Sequence, residues 1–267
     1  MESRNPILRR QNATVGFNEP TGVAATPPPP NATPEQLQEM YNQPPAVGAT
    51  VTIDDVVIKT GTLFVILLVG AAVGWNIPIP GLWIGAAIIG LILGLVNAFK
   101  RQVSPPLVIA YALVLGVFLG GISQYYAGAF EEPIVQQAVL GTLVAFAVML
   151  VLYRSRIIKV DGRFKKIMFV ALISYLVIGV LSFISALFGV GGGFGFYGVG
   201  PLGLILCLVG VALASLTLAL DFEAIAQSIS MGLPERESWR LGFALMVTLI
   251  WLYLEILRFL AILNSSR

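Results

Sequence analysis

The chain has 267 residues, of which 57% are hydrophobic and 11% are charged. A soluble domain carries about 25% charged residues, so this composition excludes an ordinary water-exposed fold. The net charge of +2 gives no reason to expect nucleic-acid binding. The chain has no histidine and one cysteine, Cys207. It also shows no nucleophile–base pair, so we expect neither an enzyme nor a bound cofactor.

Residues 1–50 differ in composition from the rest of the chain. Seven prolines lie between Thr21 and Pro45 among small polar residues. Such a segment buries too little apolar surface to offset the entropy lost on ordering. We therefore predict a disordered, proline-rich cytoplasmic tail over residues 1–50 and a membrane domain over residues 51–267.

Seven apolar runs follow the tail. Each has about 18 residues or more, which at 1.5 Å per residue spans the roughly 30 Å hydrocarbon core of a bilayer. Backbone groups in lipid must be satisfied internally, and the runs lack barrel-like alternation, so we predict an all-α polytopic bundle of seven transmembrane helices. The sixth helix has two possible ends, because residues 221–232 could continue it beyond the apolar run. The runs cover residues 58–76, 82–99, 106–125, 134–153, 167–188, 202–220 and 241–263.

The positions of the sixteen Lys and Arg residues predict the orientation in the membrane. With the N-terminus in the cytoplasm, fourteen of them lie in the tail, at the start of the first run, or in the second, fourth and sixth loops. The first, third and fifth loops have none, and the third carries Glu131 and Glu132. Since cytoplasmic loops are enriched in Lys and Arg, we predict a multi-pass cell-membrane protein with its C-terminus outside.

Glycines at GxxxG spacing recur in the first three runs. Such pairs let helix backbones approach closely, and we favour packing within the bundle over a dimer interface. A separate glycine-rich segment, residues 189–200, is expected to be a mobile external loop. The four pairs are Gly70/Gly74, Gly81/Gly85, Gly90/Gly94 and Gly116/Gly120.

Three ionisable residues lie in or at the edge of the last two runs: Asp221, Glu255 and Arg258. A charged side chain at the centre of a membrane helix costs about 2.5–3.5 kcal/mol on insertion scales, so it needs a partner or a function. Glu255 and Arg258 are three residues apart on one helical face and could simply pair, and Asp221 could be a solvated helix end. The functional alternative is that the carboxylates line a cation path or sense protons.

Three segments carry a family resemblance. Residues 111–123 are YALVLGVFLGGIS, residues 220–223 are LDFE, and residues 252–257 are LYLEIL. The first resembles the third helix of the Bax inhibitor-1 family, and the other two resemble its acidic motifs on the sixth and seventh helices. With the seven spans and the basic fourth loop, the resemblance covers about residues 50–263. The chain is most similar to the bacterial branch, which implies an inner-membrane protein.

The resemblance implies a helical bundle around a central last helix. Members of the family are associated with a pH-sensitive calcium leak that two acidic residues control. Carried over by motif, these would be Asp221 and Glu255, which would share a proton and bind Ca²⁺ transiently. The chain departs from the family pattern at Leu115, which is commonly acidic, at Glu255, which is usually Asp, and at Arg258, where Asn is typical.

Three functions compete on the sequence. The leading one is a pH-modulated cation (calcium) leak channel, based on Asp221, Glu255 and the family motifs. The second is a non-conducting adaptor that binds other membrane proteins, such as a membrane protease, through the proline-rich tail and the GxxxG surfaces. The third is a small-solute transporter, but inverted repeats and broken helices are typical of that class, and we find no convincing repeat.

Overall fold

A computed structural model of the chain describes residues 33, 49–77, 79–130, 133–189 and 195–265. Helices account for 86% of these residues, and no strand occurs among them. The helices long and apolar enough to cross a membrane number seven within this described part, which confirms the predicted fold class. They are α1 (Ile53–Asn76), α2 (Pro80–Phe99), α3 (Pro105–Ala129), α4 (Ile134–Arg154), α5 (Gly162–Leu187), α6 (Pro201–Ser230) and α7 (Ser238–Ser265).

Several predicted features fall outside the described residues. One is the tail predicted over residues 1–50, apart from Thr33, Ala49 and Thr50. Glu131 and Glu132 are also outside the described residues. Part of the glycine-rich segment, residues 190–194, is also outside. The described remainder of that segment includes a short 3-10 helix, Gly195–Tyr197, which packs against the bundle.

The helices are longer than the apolar runs because polar residues start or extend them. At α1, the Thr52 hydroxyl accepts from the Asp55 backbone N–H, and the Asp55 carboxylate accepts from the Thr52 N–H, which is a capping box. At α5, the Asp161 carboxylate accepts from the Phe164 N–H at 2.7 Å, so this helix begins before the apolar run at residue 167. Helix α6 continues to Ser230, which places Asp221 inside the helix rather than at its end.

Helix α7 is the centre of the bundle. In the most apolar 18-residue stretch of α7, 61% of the residues are buried, compared with 17% in α2 and 11% in α5. It packs on α1, α4 and α6, and its fully buried residues Met246 and Leu252 belong to two core clusters. The structure thus agrees with the central last helix that the resemblance implied.

The α1–α3 contact is built on glycine. A Cβ added to Gly70 or Gly74 would fall on the α3 backbone, and one added to Gly116 or Gly120 would fall on the α1 backbone. These two GxxxG pairs therefore serve packing within the bundle. The pair in the first turns of α2 differs, because a Cβ at Gly81 or Gly85 would meet nothing within 4 Å in the described part of the chain.

Apolar side chains are exposed along the outer helices, as a lipid-facing surface requires. On α2, Ile88 and Leu91 are examples, and on α5, Phe169 and Leu176. In water such a surface would drive aggregation. In a bilayer it is matched by the lipid tails.

Candidate functional site

Glu255 lies inside the bundle on α7, with 6% of the residue exposed. Two side chains donate hydrogen bonds to its Oε1 atom: the Tyr175 hydroxyl of α5 at 2.8 Å and the Trp251 indole N–H, one turn earlier on α7, at 3.1 Å. A buried carboxylate is stabilised by such donors. The second oxygen, Oε2, is buried and has no hydrogen-bond partner among the described residues.

A glycine on α6 makes the space for this carboxylate. A Cβ added to Gly210 would come within 2.6 Å of the Glu255 Cδ and 2.8 Å of Oε2, and it would also collide with the Tyr175 hydroxyl. Any larger residue at position 210 must therefore displace the pair. Gly210 brings α6 against α5 and α7 at the depth of Glu255.

Arg258 is held by an aromatic ring. Its guanidinium carbon lies 4.7 Å from the ring centroid of Tyr197, a cation–π geometry. Burial raises the pKa of the Tyr197 phenol, so the ring stays uncharged at neutral pH. Their spacing suggested an ion pair between Arg258 and Glu255, but the described structure contains no such pair. The fully buried thiol of Cys207 lies beside both groups.

Asp221 occupies a different part of the bundle. It is half-buried in α6, and its Oδ2 atom has no hydrogen-bond partner among the described residues. The carboxyl lies next to the Thr248 side chain of α7, and both residues line an apolar groove between α2, α3 and α7. Leu115 of α3, at the position where the family pattern is commonly acidic, lines the same groove.

The two carboxyl groups are separated in depth. Glu255 is level with Gly210, and Asp221 is level with Thr248. At 1.5 Å per residue, Gly210 and Asp221 are about 16 Å apart along α6, and Thr248 and Glu255 are about 10 Å apart along α7. A proton shared directly between the two carboxylates does not fit this geometry.

The same separation in depth keeps Asp221 and Glu255 from binding one calcium ion together. Ca²⁺ takes about six to eight oxygen ligands, and the described residues contain no group of three or more His, Cys, Asp and Glu side chains that could hold a metal. The carboxylates of Asp221 and Glu255 could each contact a passing cation, but they do not form one cage.

Sequence reasoning identified the three ionisable residues but missed the side chains that hold them. Tyr175 is 80 positions before Glu255, and neither Tyr197 nor Gly210 belongs to a motif. One signal was present: Trp251 is four residues before Glu255, on the same helical face, where an indole N–H in a lipid-buried helix needs an acceptor.

Comparison with protein families agrees with the resemblance noted in the sequence. The family model described as Bax inhibitor 1 like matches residues 5–265. The chain belongs to the Bax inhibitor 1 like family. A search of curated protein sequences gave no significant match. The seven long apolar helices and the family together show that this chain is a multi-pass membrane protein.

Proposed function

We propose that this chain is a pH-modulated cation leak channel that passes Ca²⁺. The observation that carries the proposal is that two carboxyl groups lie within the bundle, each with one oxygen that has no hydrogen-bond partner among the described residues. Ionisable groups at membrane depth are costly, and they mark ion paths more often than packing. A carboxylate that is only partly satisfied attracts a cation, and a bound proton removes that attraction.

The two groups act in series rather than as one shared site. Trp251 links them, because its ring lines the groove that contains Asp221 and its N–H donates to Glu255. It also lines a second apolar cavity of about 470 Å³ beside Tyr175. Because Trp251 lies beside both carboxyl groups, we assign its indole as the barrier between them.

The groups that face the two carboxyls set the pH response. Glu255 is faced by Tyr175 from α5, by Cys207 from α6, by Tyr197 from the 3-10 helix and by Arg258 from its own helix. Among the described residues that line the groove with Asp221, the other titratable group is Tyr111 of α3. The positive charge of Arg258 disfavours a cation near Glu255, so we expect Asp221 to be the main cation contact.

The test is Ca²⁺ entry into dye-loaded proteoliposomes at pH 6, 7 and 8. Wild type should carry a flux that changes with pH. In Asp221→Asn the flux should be the same at every pH. In Glu255→Gln the flux should change less with pH than it does in wild type. Glu223→Gln is the matched control, because Glu223 is two residues from Asp221 but accepts hydrogen bonds from Tyr153 and Gln227 outside the groove.

The outcomes separate the leak channel from the other functions. Flux equal to that of empty liposomes at every pH, from protein shown to be folded, would refute the leak and favour the adaptor. Pull-down of membrane partners that depends on residues 1–50 would then support the adaptor directly. A pH response unchanged in Asp221→Asn would remove this residue from the path.

We also propose that the N-terminus lies in the cytoplasm of a bacterial cell, with the C-terminus outside. The distribution of Lys and Arg over the loops supports this orientation. Labelling of single cysteines placed at Asn264 and Lys100, in a Cys207→Ser background, tests it. A membrane-impermeant thiol reagent added to intact cells should modify the first and not the second.

A further inference from the structure

The apolar groove between α2, α3 and α7 is a cavity of about 610 Å³. Such a volume is typical of sites for drug-sized ligands, which range from about 300 to 1,000 Å³. Its α2 wall contains Gly90 and Gly94, whose added Cβ atoms would lie 3.1 Å from Leu115 and from Tyr111 of α3. The glycines bring the α2 backbone close to α3, while α2 makes no extensive contact with α7 in the described part of the chain. The groove therefore opens sideways toward lipid.

The lining combines aromatic rings with a single charge. Four aromatic side chains come from α3 and α7: Tyr111, Phe118, Phe243 and Trp251. Of the described residues that line the groove, Asp221 is the charged one. Its Oδ2 atom is without a hydrogen-bond partner in the described structure, and no basic side chain is among the lining residues.

We propose that this groove binds a lipophilic cation, meaning a bulky organic cation with aromatic or alkyl surface and a dispersed positive charge. Such a molecule enters from the bilayer, because its charge is weakly hydrated. The Asp221 carboxylate neutralises that charge, and the aromatic faces attract it further. The apolar walls cover its remaining surface. A lipid acyl chain would fit the same groove but would leave the Asp221 carboxylate without a positive charge beside it.

The experiment measures binding of tetraphenylphosphonium to the full-length protein in nanodiscs by equilibrium dialysis, with empty nanodiscs subtracted. Tetraphenylborate has the same shape and the opposite charge, so it is the matched control ligand. We expect saturable binding of the cation and none of the anion. Asp221→Asn should weaken cation binding at least tenfold, whereas Glu223→Gln should leave it unchanged.

A second variant tests the groove independently of its charge. Ala87 lines the groove from α2 and is half-buried, so Ala87→Phe should fill part of the volume and weaken cation binding with Asp221 intact. Equal binding of tetraphenylphosphonium and tetraphenylborate would overturn the proposal, because the groove would then bind apolar molecules irrespective of their charge. Unchanged cation binding in folded Asp221→Asn or in folded Ala87→Phe would overturn it too. Because no ion gradient is used, the result is independent of the proposed leak.

Discussion

Replacement of Gly120 by alanine tests the backbone contact between α1 and α3. The added methyl carbon would lie 2.7 Å from the carbonyl carbon of Ala71 and 2.8 Å from its Cα. Carbon atoms pack best at about 3.5–4.0 Å, so α1 must withdraw by roughly 1 Å. The obstacle is backbone, which no side-chain rotation can move aside.

Two opposing effects set the magnitude. Overpacking a tight contact costs about 1–3 kcal/mol, and withdrawal of α1 also loosens the contacts of the neighbouring glycines. Alanine is the better helix former by about 1 kcal/mol. The clash wins, and we expect a net destabilisation of about 1–2 kcal/mol. For a domain of this size that lowers the melting temperature by roughly 2–8 °C.

The chain carries its own reporter for this measurement. Cys207 is the single cysteine and is fully buried, so a fluorogenic maleimide reacts with it as the protein unfolds in detergent. Gly128→Ala is the matched control in the same helix, because its Cβ would meet no described residue within 4 Å. This variant should melt at the wild-type temperature or slightly above it. Equal melting of Gly120→Ala and wild type would refute the close α1–α3 contact.

Three further predictions use the same thermal assay. Tyr175→Phe removes the 2.8 Å hydrogen bond to Glu255 and should cost about 1–2 kcal/mol, so an unchanged melting temperature would contradict this contact. Arg258→Ala should destabilise the protein by about 1 kcal/mol through loss of the ring contact, with Arg258→Lys retaining part of it. Equal melting of these two variants and wild type would exclude a role for Tyr197. Lys59→Met breaks the 2.7 Å ion pair with Glu235 and should cost about 0.5–1 kcal/mol at low salt. That difference should shrink in 1 M salt, and a difference that persists there would show that packing is responsible.

Part of the candidate site could be predicted from the sequence. Asp221 and Glu255 stand out because each interrupts or ends an apolar run, and a carboxylate there is costly wherever its helix points. The partners could not be predicted. The donors to Glu255 come from a helix 80 positions away and from its own preceding turn, and the i, i+3 spacing to Arg258 suggested an ion pair that the described structure replaces with a ring contact.

The sequence by itself determined the seven spans, because each run is long and apolar enough to cross a bilayer without help from its neighbours. Tertiary structure decided everything that depends on how the helices are rotated and at what depth they meet. Identical GxxxG spacing packs Gly70 and Gly74 against α3, whereas a Cβ at Gly81 or Gly85 would lie more than 4 Å from any other described element. In the same way, the α6–α7 register sets Glu255 beside Gly210 and Asp221 beside Thr248. Contacts between helices distant in sequence depend on the whole bundle, and no local pattern encodes them.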